Sequence, residues 1–555
     1  MTITDAFIRD PGHSKSSNQV LNDDRPRVTP ATLRGVRLVV LPFVLAISVL
    51  QLALLLDTAN FAVSALTVVG NVLGYGYALR QSLLRRYPIS SLMLLGYTFS
   101  YFSLPPLGQL LDLHTTTHHL YYPVFDLGYA IIGLLALIGG HLLCSKVPLF
   151  ATLRGMLRKW FYGPLGFYLV PRLSQLWLMG AVGCVAILAA DGGTAQASGI
   201  YQAVLHGLRP FVYVPYVSLL LPAWSPTPYG RIPRLNNLGL VLYTGLLLVL
   251  AMIVNSRAYL LMGFASLLIV YFYLLATARM PLPRMRAHTV IFACLATLVI
   301  MGPVSELAMT MVLVRGERAD LTPSQLVVQT WKIFRSGHVA ERYERLASAM
   351  SGGRGVNETY FDNLFLNRLA NLKLIDNAVI NQKALSIGGG RYFTHIEEQK
   401  VMSVLPSPLL NVLSINPDKS LVTSGSSGDF LLYAATGNPY AIGGFRTGSL
   451  LVNLAVVFGY LWPLALMLSS ALIFAIVDSW CWMGKDDKTK KRTVRFNPLV
   501  VGMVFTETFF FTSAATATES ISGIMGVLLR GWVQIAVLYA FVFWVSRMLT
   551  SWIRS

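Results

Sequence analysis

Charged residues are scarce in this sequence. Aspartate, glutamate, lysine and arginine make up 12% of its 555 residues, whereas soluble globular proteins carry roughly 25%. Hydrophobic residues make up 54%, and the mean hydropathy is +0.58. This composition excludes an ordinary soluble protein and indicates a chain that crosses a membrane many times.

Acidic residues are rarer than basic ones, 25 against 44, which gives a formal net charge of +19. Such an excess can indicate a nucleic-acid partner. In a membrane protein, however, lysine and arginine accumulate in cytoplasmic loops and against anionic lipid. We therefore predict membrane lipid, and no nucleic acid, as the partner of the basic residues.

Cysteine is also scarce. The four cysteines, Cys144, Cys184, Cys294 and Cys481, lie in or at the ends of apolar segments. None lies in the long polar stretch of the chain, which argues against a disulfide framework. No cleavable signal peptide is visible, because residues 1–35 are polar and the apolar run that follows is long enough to span.

Twelve apolar segments are candidates to cross a bilayer, which takes about 20 predominantly apolar residues. Nine precede a long polar stretch and three follow it. The segments are Val36–Leu56, Phe61–Leu79, Ile89–Leu111, Leu127–Cys144, Leu173–Ala190, Gly207–Trp224, Leu238–Val254, Ala258–Thr277, Thr289–Met309, Gly448–Trp482, Leu499–Ala514 and Ile524–Leu549.

Every short loop rich in lysine and arginine falls on one side of these spans. The sequence therefore predicts an all-α polytopic membrane protein with about 12 transmembrane helices and both termini in the cytoplasm. It divides into a tail (1–35), spans one to nine (36–309), a large, mainly helical outer loop (310–446), and spans ten to twelve (447–555). Gly448–Trp482 is too long for one ordinary span, so part of it is expected to tilt or lie along the interface.

Ionisable residues inside apolar spans are costly and mark function by default. Six lie toward the outer ends of the spans: Arg209, Arg257, Glu306, Arg446, Glu507 and Arg530. This clustering argues against an ion pathway at the midplane and predicts an anion-handling cavity open to the outer side. The purely structural alternative is that such groups pair with one another. Asp478 and His141, near inner ends, are explained by snorkelling.

The first helix predicted in the large loop begins with Thr322 as cap and Pro323 at the first helical position. One of its faces starts apolar and turns basic: Val327, Trp331, Phe334, His338, Arg342 and Arg345. Such a face can lie on the membrane and present cations to a lipid-linked phosphate. The alternatives are a solvated face in which Glu341 pairs with Arg345, and a helix broken at Gly337.

The second predicted helix covers residues 357–379 and has one apolar stripe: Phe361, Leu364, Phe365, Leu369, Leu372, Ile375 and Val379. Arg368 falls near the middle of the stripe and Asp376 within its edge. The two lie about two turns apart, so Arg368 needs a partner from elsewhere. That partner is another carboxylate or a substrate phosphate, which the planar arginine fork binds through two oxygens.

Histidine is the natural general base at neutral pH, so His338 and His395 are the candidate bases. His395 follows a glycine run and Arg391, and ordinary polar residues are the alternative for both histidines. A further group of histidines lies in the small outer loop: His114, His118 and His119. Without cysteines or a ligand-like carboxylate pattern nearby, we interpret it as an interfacial polar loop and predict no metal.

Two short motifs accompany this architecture. Asn255-Ser-Arg-Ala-Tyr-Leu260 closes one apolar segment and opens the next, and Gly443-Gly-Phe-Arg-Thr-Gly448 precedes Asn453–Tyr460 at the start of the span after the loop. Together with about twelve spans and a large late outer loop, they resemble the bacterial O-antigen and exopolysaccharide repeat-unit polymerases (Wzy-type), which are related to the O-antigen ligases. Where family members often have a carboxylate, this chain has Asn453, and His338 is only a stand-in for the loop histidine of the ligases.

The resemblance implies transfer of a growing glycan from undecaprenyl diphosphate onto a lipid-linked repeat unit. The reaction would take place at the periplasmic face of the bacterial inner membrane, without cofactor or metal. A chain-length regulator and a flippase of the same pathway are the implied protein partners. As a hypothesis, His338 or His395 is the base, and eight arginines bind the substrate diphosphate: Arg209, Arg257, Arg342, Arg345, Arg368, Arg391, Arg446 and Arg530.

Three alternatives stay open. An O-antigen ligase uses the same chemistry with a lipid A core acceptor. A glycosyltransferase that uses a polyprenyl-phosphate sugar usually has an acidic motif in a large first outer loop, which here is only Asp57–Asn60. A transporter of lipid-linked sugars should show inverted repeats and charges near the midplane.

Overall fold

The computed structural model describes residues 31–54, 57–162, 165–169, 171–191, 200–221, 234–254, 258–276, 302–303, 305–314, 323–339, 341–342, 359–361, 371–405, 407–444, 446–485, 492–501 and 520–552. These residues are mostly helical. Six of their helices are long and apolar enough to cross a membrane: Thr58–Ala78, Pro123–Lys146, Leu173–Ala190, Leu235–Val254, Leu450–Trp480 and Ile521–Trp552. The prediction of a mainly helical membrane protein is confirmed at this level. The count of twelve spans, the kind of membrane and the sidedness stay predictions.

The first half of the chain contains twelve described helices. They are α1 (Ala31–Leu54), α2 (Thr58–Ala78), α3 (Gln81–Arg86), α4 (Pro88–Thr98), α5 (Leu104–Leu111), α6 (Pro123–Lys146), α7 (Pro148–Tyr162), α8 (Leu173–Asp191), α9 (Ile200–Leu208), α10 (Arg234–Val254), α11 (Ala258–Ala276) and α12 (Ser305–Leu313). A π-helical turn, Phe99–Ser103, joins α4 to α5, and a 3₁₀ helix, Arg209–Leu220, follows α9.

The remaining elements form the polar loop and the last spans. They are α13 (Pro323–Arg335), α14 (Asn371–Ala384), α15 (Ile387–Ser403), α16 (Ser407–Val412), α17 (Lys419–Thr423), α18 (Ser427–Thr436), α19 (Leu450–Phe458), α20 (Trp462–Val477), β1 (Cys481–Lys485), β2 (Arg492–Phe496), α21 (Ile521–Gly526) and α22 (Trp532–Trp552). A π-helical turn, Val527–Gly531, joins α21 to α22.

Long-range hydrogen bonds connect distant segments at both ends of the bundle, which we call the loop end and the hairpin end. At the loop end, backbone N–H groups of residues 121 and 122 donate to the carboxylate of Asp376. At the hairpin end, the Tyr168 hydroxyl donates to the Ser479 carbonyl (2.6 Å) and Asn497 Nδ2 donates to the Phe167 carbonyl (2.8 Å). Segments that the sequence assigns to one side of the membrane thus meet at one end of the bundle.

Two polar residues at the hairpin end are buried, so snorkelling is the wrong explanation for them. Asp478 is 0% exposed and caps α4: its Oδ1 accepts from the N–H groups of Ile89 (3.1 Å) and Ser90 (3.2 Å), and its Oδ2 accepts from Ser90 Oγ (2.6 Å). His141 Nδ1 lies 2.9 Å from the hydroxyl of Tyr77, inside an aromatic cage. The hydrogen bonds of Asp478 offset the cost of its burial, whereas His141 Nε2 has no partner among the described residues.

A short pair of strands interrupts the helical pattern at this end. β1 and β2 are antiparallel, with Cys481 opposite Phe496 and Lys485 opposite Arg492. The sequence analysis placed Cys481 and Trp482 in an apolar segment and predicted no strand in the basic run that follows. The strands follow from its aromatic and β-branched residues, which favour extended backbone.

The long apolar segment after the loop is two helices. The chain breaks between α19 and α20 at Gly459, whose φ of +55° lies in the left-handed region that favours glycine. The first six residues of α19 are all buried, and α14 and α15 of the polar loop contact this helix. α20 packs along α6, where Gly140 allows close approach: a Cβ there would lie 2.1 Å from Ser470 Oγ.

The structure corrects both predicted loop helices. α13 begins at Pro323 as predicted but ends at Arg335, and Gly337 has φ +73°, so the line to His338 and Arg342 does not continue on one face. Residues 359–361 are not helical, and the described part of the second helix begins at Asn371. The apolar residues of that part, Leu372, Ile375 and Val379, are fully buried.

Candidate functional site

Part of the polar loop is folded tightly onto the bundle. In α14, ten of the fourteen residues are buried, including polar ones. α14 contacts α6, α18 and α19. A polar helix buried in this way needs specific partners for its charges.

The partners of α14 come from the small outer loop. Lys373 Nζ lies 2.9 Å from Asp376 Oδ2, and the two side chains are 2% and 0% exposed. Asp376 Oδ1 also accepts from the N–H groups of Tyr121 (2.9 Å) and Tyr122 (3.0 Å), while Lys373 donates to the His119 carbonyl. The ion pair and these three backbone groups fasten the loop to the bundle.

A second set of charges lies where the loop returns to the membrane helices. We define the seam cluster as Glu397, Lys400, Asp429 and Arg446. Glu397 and Lys400 lie one turn apart on α15 and are 1% and 8% exposed. Lys400 Nζ donates to the Gly425 carbonyl (3.0 Å) and lies 4.8 Å from the centroid of the Phe430 ring.

Glu397 connects the loop to the start of the last membrane helix. Burial raises the pKa of its carboxyl above the ordinary value. Interactions with Ser427 and Lys400, and with the backbone N–H groups of Ile521 and Ser522, oppose that rise. α15 packs against α21 at this point.

Asp429 and Arg446 connect the start of α18 to the segment just before α19. Asp429 belongs to a capping box with Ser426 that starts α18. Its Oδ1 accepts from the Arg446 backbone N–H (3.0 Å) and lies 3.5 Å from Arg446 Nη1, and Ser426 Oγ donates to the Arg446 carbonyl. The backbone of Arg446 is therefore held on both sides, four residues before α19 begins.

Glycines make room for this pair. A Cβ on Gly444 would lie 2.6 Å from Arg446 Nη1, and one on Gly428 would lie 2.6 Å from the Arg446 carbonyl oxygen. Gly443 has φ +91°, which glycine adopts without strain. The Gly443–Gly448 motif thus has a structural reason, which is to seat the Arg446 guanidinium.

Arg446 is the one member of the seam cluster with a partly exposed side chain, at 24%. Nη1 donates to the Ala441 carbonyl (2.9 Å), and within the described residues its Nε and Nη2 make no hydrogen bond. The backbone of Arg446 and one guanidinium nitrogen are fixed, and two nitrogens are unused. Such a planar guanidinium is suited to bind two oxygens of a ligand such as a phosphate.

The two candidate bases lie on exposed faces. His338 Nδ1 is 3.7 Å from Glu341 Oε1, and His395 Nδ1 is 4.0 Å from Glu398 Oε2, with all four side chains more than 60% exposed. Exposed pairs of this kind contribute little to stability. His395 shares α15 with Glu397 and Lys400 but lies on the opposite, exposed face, so the structure does not bring it into the seam cluster.

The other predicted arginines are scattered. Arg342 and Arg391 are exposed, as is Arg530, which lies in the π-helical turn below α21. Arg209 starts the 3₁₀ helix, where its Nη2 lies 3.4 Å from His206 Nε2. The predictions for Arg257, Arg345 and Arg368 lie outside the described residues, and so does Glu507.

Sequence reasoning missed most of the seam cluster. Ser426 and Asp429 form the local capping-box pattern, which could have identified Asp429. Glu397 and Lys400 carry no such signal, because their partners are distant in sequence.

Asn453 is fully buried in α19, and its amide oxygen and nitrogen have no hydrogen-bond partner among the described residues.

No group of metal-binding side chains is found in the described part of the chain. The histidines of the small outer loop stack on one another instead, with ring centroids 4.1 Å apart for His114 and His118 and 3.9 Å apart for His118 and His119. Comparison of the sequence and structure with protein-family models, curated proteins and solved structures gave no match.

Proposed function

We propose that this chain is a polysaccharide polymerase of the bacterial inner membrane. It would transfer a growing glycan from undecaprenyl diphosphate onto a lipid-linked repeat unit at the periplasmic face. The observation that carries the proposal is Arg446, a partly exposed guanidinium with two unused nitrogens, fixed where the polar loop meets the membrane helices. The resemblance of the sequence to repeat-unit polymerases supports it.

The chemistry requires stabilisation of a leaving diphosphate. As the bond between the glycan and the diphosphate breaks, negative charge grows on the phosphate oxygens, and a positioned cation lowers the energy of that state. Arg446 would supply this charge without a metal. Asp429 is buried and holds the backbone N–H and Nη1 of Arg446, which orients the guanidinium and leaves its other nitrogens for the ligand.

The acceptor hydroxyl must lose a proton as the new glycosidic bond forms. His338 and His395 stay the proposed bases. His395 is carried by α15, the helix that also holds Glu397 and Lys400. It lies on the exposed face in this structure, so α15 would have to present that face to the glycan.

The test begins with deletion of the gene and analysis of surface glycan length. Single repeat units on otherwise normal lipid cores are the expected result. Loss of all attached glycan would instead assign the ligase reaction, and unchanged glycans would exclude both.

Complementation then tests Arg446. Arg446→Lys keeps the charge and the backbone bonds to Asp429 but removes the planar fork, so chain extension should fall on the order of 100-fold with normal protein levels. Arg335→Lys is the matched control, because Arg335 is exposed in the last turn of α13. Wild-type chain lengths with Arg446→Lys would remove Arg446 from the site.

A further inference from the structure

α7 has two different apolar faces. One face packs on the bundle: Phe150, Leu157 and Phe161 are 9%, 3% and 1% exposed. A second face, about 100° around the helix, carries Leu149, Met156 and Trp160, which are 70%, 48% and 62% exposed. A soluble protein rarely leaves such large side chains uncovered on one helix face.

The inward face is fixed by two arginines. Arg154 is 7% exposed, and its Nη1 donates to the carbonyl of Cys144 (2.8 Å), while Arg158 Nη2 donates to the carbonyl of Asp478 (3.0 Å). Because they are bonded inside the bundle, the orientation of α7 is set, and its Leu149–Trp160 face must point away from the protein.

α7 lies at the boundary of the apolar layer. The membrane-length helix α6 ends at Lys146, and α7 begins at Pro148. The side chains on its outer face are therefore at the level where a bilayer changes from acyl chains to headgroups, a level at which tryptophan is enriched.

Exposed cations lie on α7, at the end of α6 and around α3. We define the basic rim as Arg80, Arg85, Arg86, Lys146 and Lys159, all of which are exposed. Tyr87 links its two parts: the hydroxyl donates to the Ser145 carbonyl (3.3 Å), and Arg86 lies 5.6 Å from the ring centroid. No aspartate or glutamate occurs between residues 80 and 111 or between 127 and 172.

We propose that α7 and the basic rim form a binding surface for anionic phospholipid. Leu149, Met156 and Trp160 enter the upper acyl region, and the cations of the rim bind phosphate-bearing headgroups. The combination of an apolar face, a tryptophan and a one-sign rim is the pattern of a helix that lies in the membrane interface. This surface lies at the hairpin end, so it does not depend on the proposed function of the seam cluster.

Lipid retention tests the rim. The full chain is extracted from vesicles of mixed phosphatidylglycerol and phosphatidylcholine, and retained lipid is counted by native mass spectrometry. Wild type should retain phosphatidylglycerol in preference. Each of Arg85→Gln and Lys159→Gln should reduce that preference roughly fivefold, since one basic residue near an anionic surface contributes about that factor. Arg391→Gln removes an exposed cation at the loop end and should leave it unchanged.

Fluorescence tests the apolar face. Brominated phosphatidylcholine quenches tryptophans that contact acyl chains, so wild type should lose more emission than Trp160→Phe in the same vesicles. Equal retention of the two lipids by wild type, or equal quenching of wild type and Trp160→Phe, would overturn the proposal. Reduced preference in Arg391→Gln as large as in Lys159→Gln would also overturn it, because the effect would then be one of net charge.

Discussion

Asp376→Ala removes the residue that fastens α14 to the bundle. The substitution deletes the carboxylate that faces Lys373 at 2.9 Å and accepts from two backbone N–H groups of the small outer loop. Lys373 is 2% exposed and would keep its charge, with the His119 carbonyl and the more distant carboxyl of Asp126 as its remaining polar neighbours. We expect the loop segment to open while the membrane helices stay folded.

The magnitude follows from the burial of the pair. Removing one partner of a buried ion pair costs about 3–5 kcal/mol, because the other charge stays desolvated. Tyr121 is 63% exposed, so its N–H group can bind water and adds little to the loss. A cost of about 4 kcal/mol raises the fraction of opened loop on the order of 1000-fold.

Limited proteolysis in proteoliposomes measures this opening, since cleavage tracks the population of the open form when closing is fast. Cleavage within residues 371–444 should accelerate strongly in Asp376→Ala. The double variant Lys373→Met/Asp376→Leu removes both charges and should recover most of the protection. Glu398→Ala, which removes an exposed carboxylate from α15, is the matched control and should cleave like wild type.

Wild-type protection in Asp376→Ala would refute the reasoning that the pair holds the loop. A double variant as labile as the single one would refute it differently, by showing that shape at this position matters more than the unpaired lysine.

Three further predictions concern other positions. Gly444→Ala should displace the Arg446 guanidinium, because the new Cβ would lie 2.6 Å from Nη1; glycan length should fall with little loss of melting temperature, and Gly390→Ala, whose Cβ meets nothing within 4 Å, should change neither. Burial raises the pKa of Glu397 above 4.5, so the unfolding free energy of wild type relative to Glu397→Gln should decrease by about 1.4 kcal/mol per pH unit as pH rises from 4.5 toward the folded pKa; a pH-independent difference in melting would contradict this. Asp478→Ala should cost on the order of 3 kcal/mol, since three donors of α4 lose their acceptor, and a melting temperature equal to wild type would exclude the cap.

The sequence predicted features that depend on residues close together in the chain. Proline at the start of α13 and the apolar spacing of Leu372, Ile375 and Val379 both act within one helix, and both were found. Gly337 ended α13 because a single left-handed residue outweighs an apolar line that would otherwise continue.

What could not be predicted depends on contacts between distant segments. Asp376 accepts from Tyr121, which is 255 residues away, and Asp478 caps a helix 389 residues away. Nothing in the neighbourhood of either aspartate reveals that partner. The same limit applies to the seam cluster. Arg446 was identified from its glycine motif, but its contact with Asp429 was not predicted.

The break at Gly459 divides one hydrophobic stretch into two helices with different surroundings. Beyond it, α20 has an exposed stripe, Leu464, Leu468 and Leu472, of the kind that lipid dissolves. Before it, α19 spans only about 13.5 Å, and its first six residues are covered by the protein's own polar segment. The apolar residues of α20 therefore anchor the chain in the bilayer. Those of α19 form a surface on which helices α14 and α15 pack. The hydropathy of residues 450–480 thus measures membrane affinity for only part of its length.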